Sequence, residues 1–264
     1  MNNTKQLIYI LGDIHGEFQS LNTFINNEIR TNKKIRSLAN DLRKNGKELE
    51  IIFLQVGDFA FFWPGKDNSS AIKNAVEFLK DGYVKIFWPD GNHEDHNALD
   101  DLERRNPGKQ FIEVAPCVYF ATFGSMLTLV DETNVLFVGG AESCDIFNRK
   151  EGLSWWRQEG IDDDDMSKLP APNTRIDWVI SHTGPISFEH RGLYFYPKKY
   201  EQSRKRLEII REKFHPKRWF FGHFHDYATD AFEGCHWTCL NHIDSDDIWY
   251  QAIEFDDPLN EQER

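Results

Sequence analysis

The sequence predicts an α/β fold in which strands alternate with helices. Three short apolar runs, at 7–11, 50–56 and 83–88, have the length and continuity of buried strands. The segments 18–42 and 71–79 lie between these runs and have the apolar spacing of helices. Open α/β sheets of this kind bind ligands at the carboxyl ends of their strands. We therefore expect functional residues directly after each apolar run.

The second half of the chain has a different pattern. Residues 118–130 and 134–140 resemble antiparallel strands joined by a short turn. A buried strand, an amphipathic helix, another strand and several shorter strands are expected after them, at 176–181, 200–214, 218–221 and 227–255. The predicted sheet structure is therefore mixed.

The 264 residues are 40% hydrophobic, which is enough to bury the core of one domain. We expect this domain over 1–255, followed by a polar tail at 256–264. The segment 141–174 is rich in Trp, Asp and Pro, and we interpret it as an insertion that flanks the functional site. Its acidic run at 162–165 is expected to start a helix, because carboxylates suit the positive end of a helix.

Composition argues against several classes of partner. The formal net charge is -12, so extended nucleic acid is not an expected partner. No apolar run is long enough to suggest a membrane span. The four cysteines lack a dense disulfide spacing, and we expect a protein of the cytoplasm with reduced thiols. The sequence does not specify an oligomeric state.

Five short blocks of metal-binding residue types follow the predicted strands. They are Gly-Asp-Ile-His-Gly at 12–16, Gly-Asp at 57–58, Gly-Asn-His-Glu at 91–94, Ser-His at 181–182 and Gly-His-Phe-His at 222–225. One such block alone is usually a turn, but all five follow buried strands. Their oxygen and imidazole ligands suit manganese, iron, zinc or nickel, and the lack of cysteine argues against structural zinc.

The spacing within two blocks indicates a shared metal centre. Asp13 and His15 are two residues apart, as are His223 and His225, so an extended segment would turn both members of each pair toward one point. Two divalent cations about 3.5–4 Å apart neutralise the oxygens of a phosphoester and lower the pKa of a water between them. The blocks therefore predict phosphoester chemistry at a metal pair.

Together, the blocks resemble the motifs of the calcineurin-like metallophosphoesterase superfamily over 12–225. This resemblance implies a four-layer α/β/β/α sandwich with two central mixed β-sheets and a dimetal site at strand carboxyl ends. It implies two divalent metal ions, with Mn2+ as the first expectation and iron, zinc or nickel as alternatives. The implied substrate is a phosphoester small molecule or a nucleotide-type compound.

The resemblance also implies a role for each residue of the blocks. It assigns the first metal to Asp13, His15, Asp58 and His225, and the second metal to Asp58, Asn92, His182 and His223. Asp58 would bridge the two metals, and a metal-bridging hydroxide would attack phosphorus in line. His93 would donate a proton to the leaving oxygen or grip the phosphate, and Asn92 is also expected to contact the substrate.

One block departs from the protein serine/threonine phosphatase branch, which reads Gly-Asp-x-x-Asp-Arg-Gly. Phe61 and Phe62 stand where that branch has an Asp that orients the catalytic His and an Arg that grips phosphate. The departure argues against that branch. The segment 139–149, with Trp155, Trp156 and Glu159, is similar to small bacterial and phage members of the superfamily, and we expect a member of that type. The aromatic residues suit an apolar or base-bearing substrate group, with core packing as the alternative. Arg149 and Arg191 are the candidate replacement cations.

The sequence thus predicts dimetal-dependent hydrolysis of phosphoesters, as a phosphatase or a phosphodiesterase. The alternative is a catalytically weak metal-binding scaffold or protein-interaction module on the same fold. Every ligand position and His93 are present, which favours the enzyme. A nuclease would gain from a basic track, which the acidic composition does not show.

Overall fold

The computed structural model describes residues 4–64, 84–190, 193 and 201–253. The strands within these ranges are β1 (Thr4–Leu11), β2 (Glu48–Gln55), β3 (Val84–Trp88), β4 (Phe111–Ala115), β5 (Val118–Ala121), β6 (Met126–Thr128), β7 (Asn134–Val138), β8 (Trp178–Ser181), β9 (Arg218–Phe221), β10 (Ala228–Phe232), β11 (Cys235–Cys239) and β12 (Tyr250–Ile253). They form two six-stranded sheets.

Both sheets have a parallel centre and antiparallel edges. The first sheet has the order β12-β1-β2-β3-β5-β4, with β1, β2, β3 and β5 parallel. The second has the order β10-β11-β9-β8-β7-β6, with β11, β9, β8 and β7 parallel. Both sheets are therefore mixed, as predicted, and the carboxyl ends of the parallel strands within each sheet lie at one edge.

The helices cover the outer faces of the sheets. They are α1 (Phe18–Phe24), a π-helical segment (Ile25–Arg30), α2 (Lys33–Lys44), α3 (His96–Arg105), α4 (Asp163–Ser167) and α5 (Gln202–Phe214). Residues from both sheets, such as Ile10 and Phe137, form the buried core between them. Leu21 of α1 belongs to the core on the outer face of the first sheet, and Leu207 of α5 to that of the second. The predicted four-layer α/β/β/α sandwich is confirmed.

The helix predicted over 18–42 is interrupted in the structure. The chain forms α1 and the π-helical segment, and then starts a new helix at Asn32. The side chain of Asn32 accepts hydrogen bonds from the backbone N–H groups of Lys34 and Ile35 at 3.0 and 3.4 Å. Asn at this position satisfies the free N–H groups of a helix start, so it favours a new helix over continuation.

The prediction of a single strand over 118–130 is also wrong. This segment is divided between the two sheets, because β5 pairs within the first and β6 within the second. The turn between them contains Gly124, at φ +82°, where a Cβ atom would lie 2.6 Å from the carbonyl oxygen of Lys168. Glycine permits both this backbone conformation and this close contact.

Other predictions have mixed outcomes. The acidic run does start a helix, since Asp162 and Asp165 form a reciprocal capping box at α4. β4 and α3 were not predicted, and the helix predicted at 71–79 lies outside the described residues, as does the tail at 256–264. The domain limits, including the insertion at 141–174, stay a prediction.

Candidate metal centre

The polar blocks lie in loops that directly follow parallel strands of both sheets. Asp13, Asp58 and Asn92 come after β1, β2 and β3 of the first sheet, and His182 and His223 come after β8 and β9 of the second. The structure brings together all the ligand residues predicted from the sequence, namely Asp13, His15, Asp58, Asn92, His182, His223 and His225. Residues separated by 210 positions therefore meet at one place.

One group of side chains surrounds Asp13. Its Oδ2 lies 3.4 Å from Nε2 of His225 and 3.8 Å from Nε2 of His15. The two histidine nitrogens are 2.9 Å apart, and Nδ1 of His15 is 3.7 Å from Oδ2 of Asp58. The ligand atoms of Asp13, His15 and His225 all lie within 4.8 Å of one another, a spacing that fits one metal ion.

A second group surrounds Nε2 of the buried His182. This nitrogen lies 3.2 Å from Oδ1 of Asp58, 3.0 Å from Oδ1 of Asn92 and 3.2 Å from Nδ1 of His223. Asp58 thus turns one carboxylate oxygen toward each group. A carboxylate between two sets of oxygen and nitrogen ligands is the arrangement that a metal pair requires, so the residues present fit a dimetal site.

The backbone at these residues is unusual. His15, Asp58, His223 and His225 have φ values of 50°, 54°, 72° and 48°. Non-glycine residues rarely occupy this left-handed region, and those that do are concentrated at functional sites. The extended alternation predicted for Asp13 with His15, and for His223 with His225, is therefore wrong. Tight turns bring these side chains together instead.

Two glycines of the blocks allow carboxylates to approach the backbone. A Cβ atom on Gly91 would lie 2.2 Å from Oδ1 of Asp58, and one on Gly222 would lie 2.0 Å from Oδ1 of Asp13. Any other residue at either position would displace the carboxylate beside it. These glycines therefore determine where the acidic groups sit.

Two buried side chains that were not predicted to be functional hold the loops in place. Oε1 of Glu94 accepts the N–H of Ala60 at 2.9 Å, which ties the turn after Asp58 to the loop after β3. Nε2 of His96 contacts the carbonyl oxygen of Gly91 at 3.0 Å. Burial lowers the pKa of His96 to about 4, so its ring is neutral and Nε2 donates to that carbonyl. Both residues shape the site through the backbone.

Asp58 and His182 carry opposite charges in the metal-free site. Burial raises the pKa of Asp58, but His182 and His93 outweigh burial and hold it well below its usual range. Burial likewise lowers the pKa of His182, and the carboxylates of Asp58 and Asp13 overcome that effect and raise it to about 9. Without metal, the two residues therefore form a buried ion pair at neutral pH.

His93 lies at the edge of both groups and contacts Arg149. Nη2 of Arg149 is 2.7 Å from Nε2 of His93, and Nδ1 of His93 is 3.0 Å from Nδ1 of His15. Burial lowers the pKa of His93 to about 4, with His15 and Arg149 adding to the shift and Asp58 opposing it. His93 is neutral at pH 7, and Nε2 accepts a hydrogen bond from Arg149.

Two residues close to Arg149 in the sequence hold its side chain in place. Its Nε lies 2.7 Å from Oδ1 of Asp145, and its Nη1 donates to the carbonyl oxygen of Ser154 at 3.3 Å. Of the two arginines predicted to replace the missing cation, Arg149 is therefore beside the site. Arg191 lies outside the described residues.

The aromatic residues after Asp58 have different environments. Phe61 packs against the core and stacks on Trp88, with ring centroids 5.8 Å apart. Trp63 instead lies 5.3 Å from the ring of His93. A cavity of about 340 Å³ is lined by His15, Glu17, Ala60, Trp63, His93 and His225. The aromatic wall is thus Trp63, whereas Phe61 follows the core-packing alternative.

The comparison with protein families agrees with a metal-binding site at this place. A model of the calcineurin-like phosphoesterase family matches residues 7–227. The chain belongs to this family. The family and the Asp and His groups together support metal-dependent phosphoester hydrolysis in general, at a site for two metals. A search of curated protein sequences gives no match to this chain.

Two of the solved structures that are similar to this chain in fold illustrate the likeness. The phosphopantetheinyl hydrolase of Mycobacterium tuberculosis is 11% identical with a TM-score of 0.49, over 97% of this chain and 98% of that chain. A dimetal phosphatase from Danio rerio is 12% identical with a TM-score of 0.47, over 90% of this chain and 87% of that chain. These similarities concern the fold alone. No helix within the described ranges has the length and apolar character of a bilayer span.

Proposed function

We propose that this protein hydrolyses small phosphoesters with the help of two divalent metal ions. The observation that carries the proposal is the position of Asp58, whose Oδ1 faces His182 at 3.2 Å and whose Oδ2 faces His15 at 3.7 Å. Mn2+ is the proposed native metal, because oxygen and imidazole ligands suit it. The cytoplasm is the proposed location, and the free cysteines support it.

The proposed first metal position is formed by Asp13, His15, Asp58 and His225, and the second by Asp58, Asn92, His182 and His223. When bound, the metals would neutralise the oxygens of the phosphoester and make water a better nucleophile. His93, once protonated beside the substrate anion, would donate a proton to the leaving oxygen, and Arg149 would bind the phosphoryl oxygens. The Trp63 wall would contact the organic part of the substrate.

Metal-dependent turnover of model esters tests this proposal. The purified protein, freed of metal with a chelator, would be assayed on p-nitrophenyl phosphate and on bis(p-nitrophenyl) phosphate with Mn2+, Ni2+ or Zn2+. We expect hydrolysis of at least one ester with at least one metal, and its loss on chelation. A folded protein that turns over neither ester with any of the three metals would point to the metal-binding scaffold instead.

Replacement of Arg149 should weaken binding of the phosphoryl group of the substrate. Loss of a charged hydrogen bond costs about 1.5–3 kcal/mol, so kcat/KM for a monoester should fall about ten- to a hundredfold in Arg149→Met. The loss should be smaller for a diester, which has one negative charge fewer to neutralise. Steady-state kinetics on the two p-nitrophenyl esters would measure both values.

A suitable control for this change is Arg157→Met. Arg157 belongs to the same segment, but its side chain is 76% exposed and pairs with Glu151 at the surface. Its loss should leave both rates unchanged, because exposed ion pairs contribute little. Equal effects of Arg149→Met and Arg157→Met would contradict the role of Arg149.

Metal binding should strengthen as pH rises. The pKa of His182 is about 9 in the metal-free site, so its ring carries a proton at neutral pH that a metal must displace. Displacing one proton makes apparent affinity rise about tenfold per pH unit below that pKa. We therefore expect Mn2+ to bind about a hundredfold more tightly at pH 8.5 than at pH 6.5. Anaerobic titration calorimetry would measure the affinity, and buffers of different ionisation enthalpy would count the protons released. Affinity that is equal at both pH values, without proton release, would contradict a protonated His182 in the metal-free site.

A further inference from the structure

The side chain of Asn92 has a defined direction inside the site. Its Oδ1 lies 3.0 Å from Nε2 of His182, and its Nδ2 donates to Oγ of Ser143 at 3.2 Å. Only the oxygen end of a side-chain amide binds a cation, because the nitrogen lone pair is delocalised into the carbonyl group and the NH2 group acts only as a donor. The direction of this amide therefore determines whether Asn92 offers a ligand atom to the second metal position.

Glu159 determines the direction of the Ser143 hydroxyl. Oγ of Ser143 donates its single hydrogen to Oε2 of Glu159 at 3.1 Å, and the backbone N–H of Ser143 donates to Oε1 at 2.5 Å. With this hydrogen in use, the lone pairs of Oγ are left to accept from Nδ2 of Asn92. In its ionised form, Glu159 thus orients the hydroxyl, and the hydroxyl orients the amide.

The whole chain of hydrogen bonds is buried. Asn92, Ser143 and Glu159 are 4%, 1% and 3% exposed. The backbone of Glu159 is also held, since its carbonyl oxygen accepts the N–H of Ala141 at 2.8 Å. Loss of a buried hydrogen-bond partner costs about 1–3 kcal/mol, which is enough to reorient an amide. Mutation of a side chain that supports a metal ligand in this way typically weakens metal affinity about 10- to 100-fold.

We propose that Ser143 and Glu159 are positioning residues that hold Oδ1 of Asn92 toward the second metal and so raise its affinity. The inference rests on the proposed function, because it assumes the second metal position described there. It adds a role for the segment around Ser143 and Glu159, which lies far along the chain from Asn92. The proposed ligand would depend on this segment for its orientation.

Binding of Mn2+ alone tests the inference without any assay of activity. Calorimetry would give the affinities of the two ions, and electron paramagnetic resonance would show the magnetically coupled pair. In Ser143→Ala we expect the second ion to bind about 10- to 100-fold more weakly, with the first ion unchanged. Glu159→Gln, which keeps the shape of the side chain, should weaken the second ion as well.

A double-mutant cycle separates orientation from general damage. In Asn92→Asp, a carboxylate presents oxygen to the metal whichever way it is rotated, so it does not depend on Ser143 for its direction. Addition of Ser143→Ala to Asn92→Asp should therefore change the affinity of the second ion by less than about twofold. A role in packing alone would give the same loss in both backgrounds.

Ser125→Ala is the matched control for a lost hydroxyl. Ser125 is 1% exposed, as Ser143 is, and its Oγ donates to the carbonyl oxygen of Gln110. This change should leave both Mn2+ affinities unaltered. The inference is overturned if the wild type binds only one ion, if Ser143→Ala and Glu159→Gln leave the second affinity unchanged, or if the cycle shows no coupling. A protein that binds two ions but turns over no ester would contradict the proposed function and leave this inference standing.

Discussion

Asp58→Asn should abolish turnover and disturb both metal positions. The change removes the charge of the carboxylate that faces both groups of ligands, and an amide offers only one oxygen in its place. A metal ion contributes several kcal/mol to the transition state, and about 4 kcal/mol corresponds to a thousandfold in rate. We therefore expect kcat/KM to fall by about a thousandfold or more.

Metal analysis of the same variant provides the second measurement. The number of Mn2+ ions retained after desalting should fall from two per chain to one or none. Asp95→Asn is a close control, because it removes the same charge from a nearby loop and Asn caps a helix as well as Asp. This control should keep both its metals and its activity. If Asp58→Asn retained two metals with unchanged affinity, Asp58 would not be the bridging ligand.

His93→Ala should keep both metals but slow the departure of the leaving group. Proton donation by a positioned side chain contributes about 10²–10⁴-fold, and the contribution is largest when the leaving group is a poor one. We therefore expect a loss of at least about a hundredfold on phenyl phosphate and a smaller one on p-nitrophenyl phosphate. Both rates would be measured at saturating metal, with metal content checked in parallel.

The pKa of His93 in the metal-free site bears on its role as a proton donor. Burial lowers the pKa of His93 to about 4, so the ring has no extra proton to give before substrate binds. A phosphoester anion beside the ring would favour the protonated form and raise that pKa. Equal losses on the two esters would instead assign His93 to gripping the phosphoryl group, and loss of metal would place it among the ligands.

The positions of the ligand residues could be predicted because their strands are easy to recognise. β1, β2 and β8 each contain a short apolar run, at 7–11, 51–54 and 178–180, and parallel strands place their ends at a common edge. The turn geometry could not be predicted, because nothing in the local sequence requires His15 or His225 to adopt a left-handed conformation. Only the contacts of the folded site select it.

The supporting residues were harder to predict for a related reason. Glu94 ends a recognised block and His96 follows it, but their partners are backbone groups whose positions depend on the folded loops. Ser143 reaches Asn92 across 51 residues of sequence, and no periodicity records such a pairing. The environments of Phe61 and Trp63 differ because the turn after β2 directs one ring inward and the other toward the cavity.

The proposed ligands come from two different sheets. Asp13 follows a strand of the first sheet and His223 a strand of the second, and the N–H of His223 donates to Oδ2 of Asp13 at 3.0 Å. A cation pair at this place would act as a cross-link between the halves of the sandwich. Since the unfolded chain cannot gather these groups, mass action would favour the closed sandwich whenever metal is present. Metal supply would then govern how long the protein survives proteases as well as how fast it works.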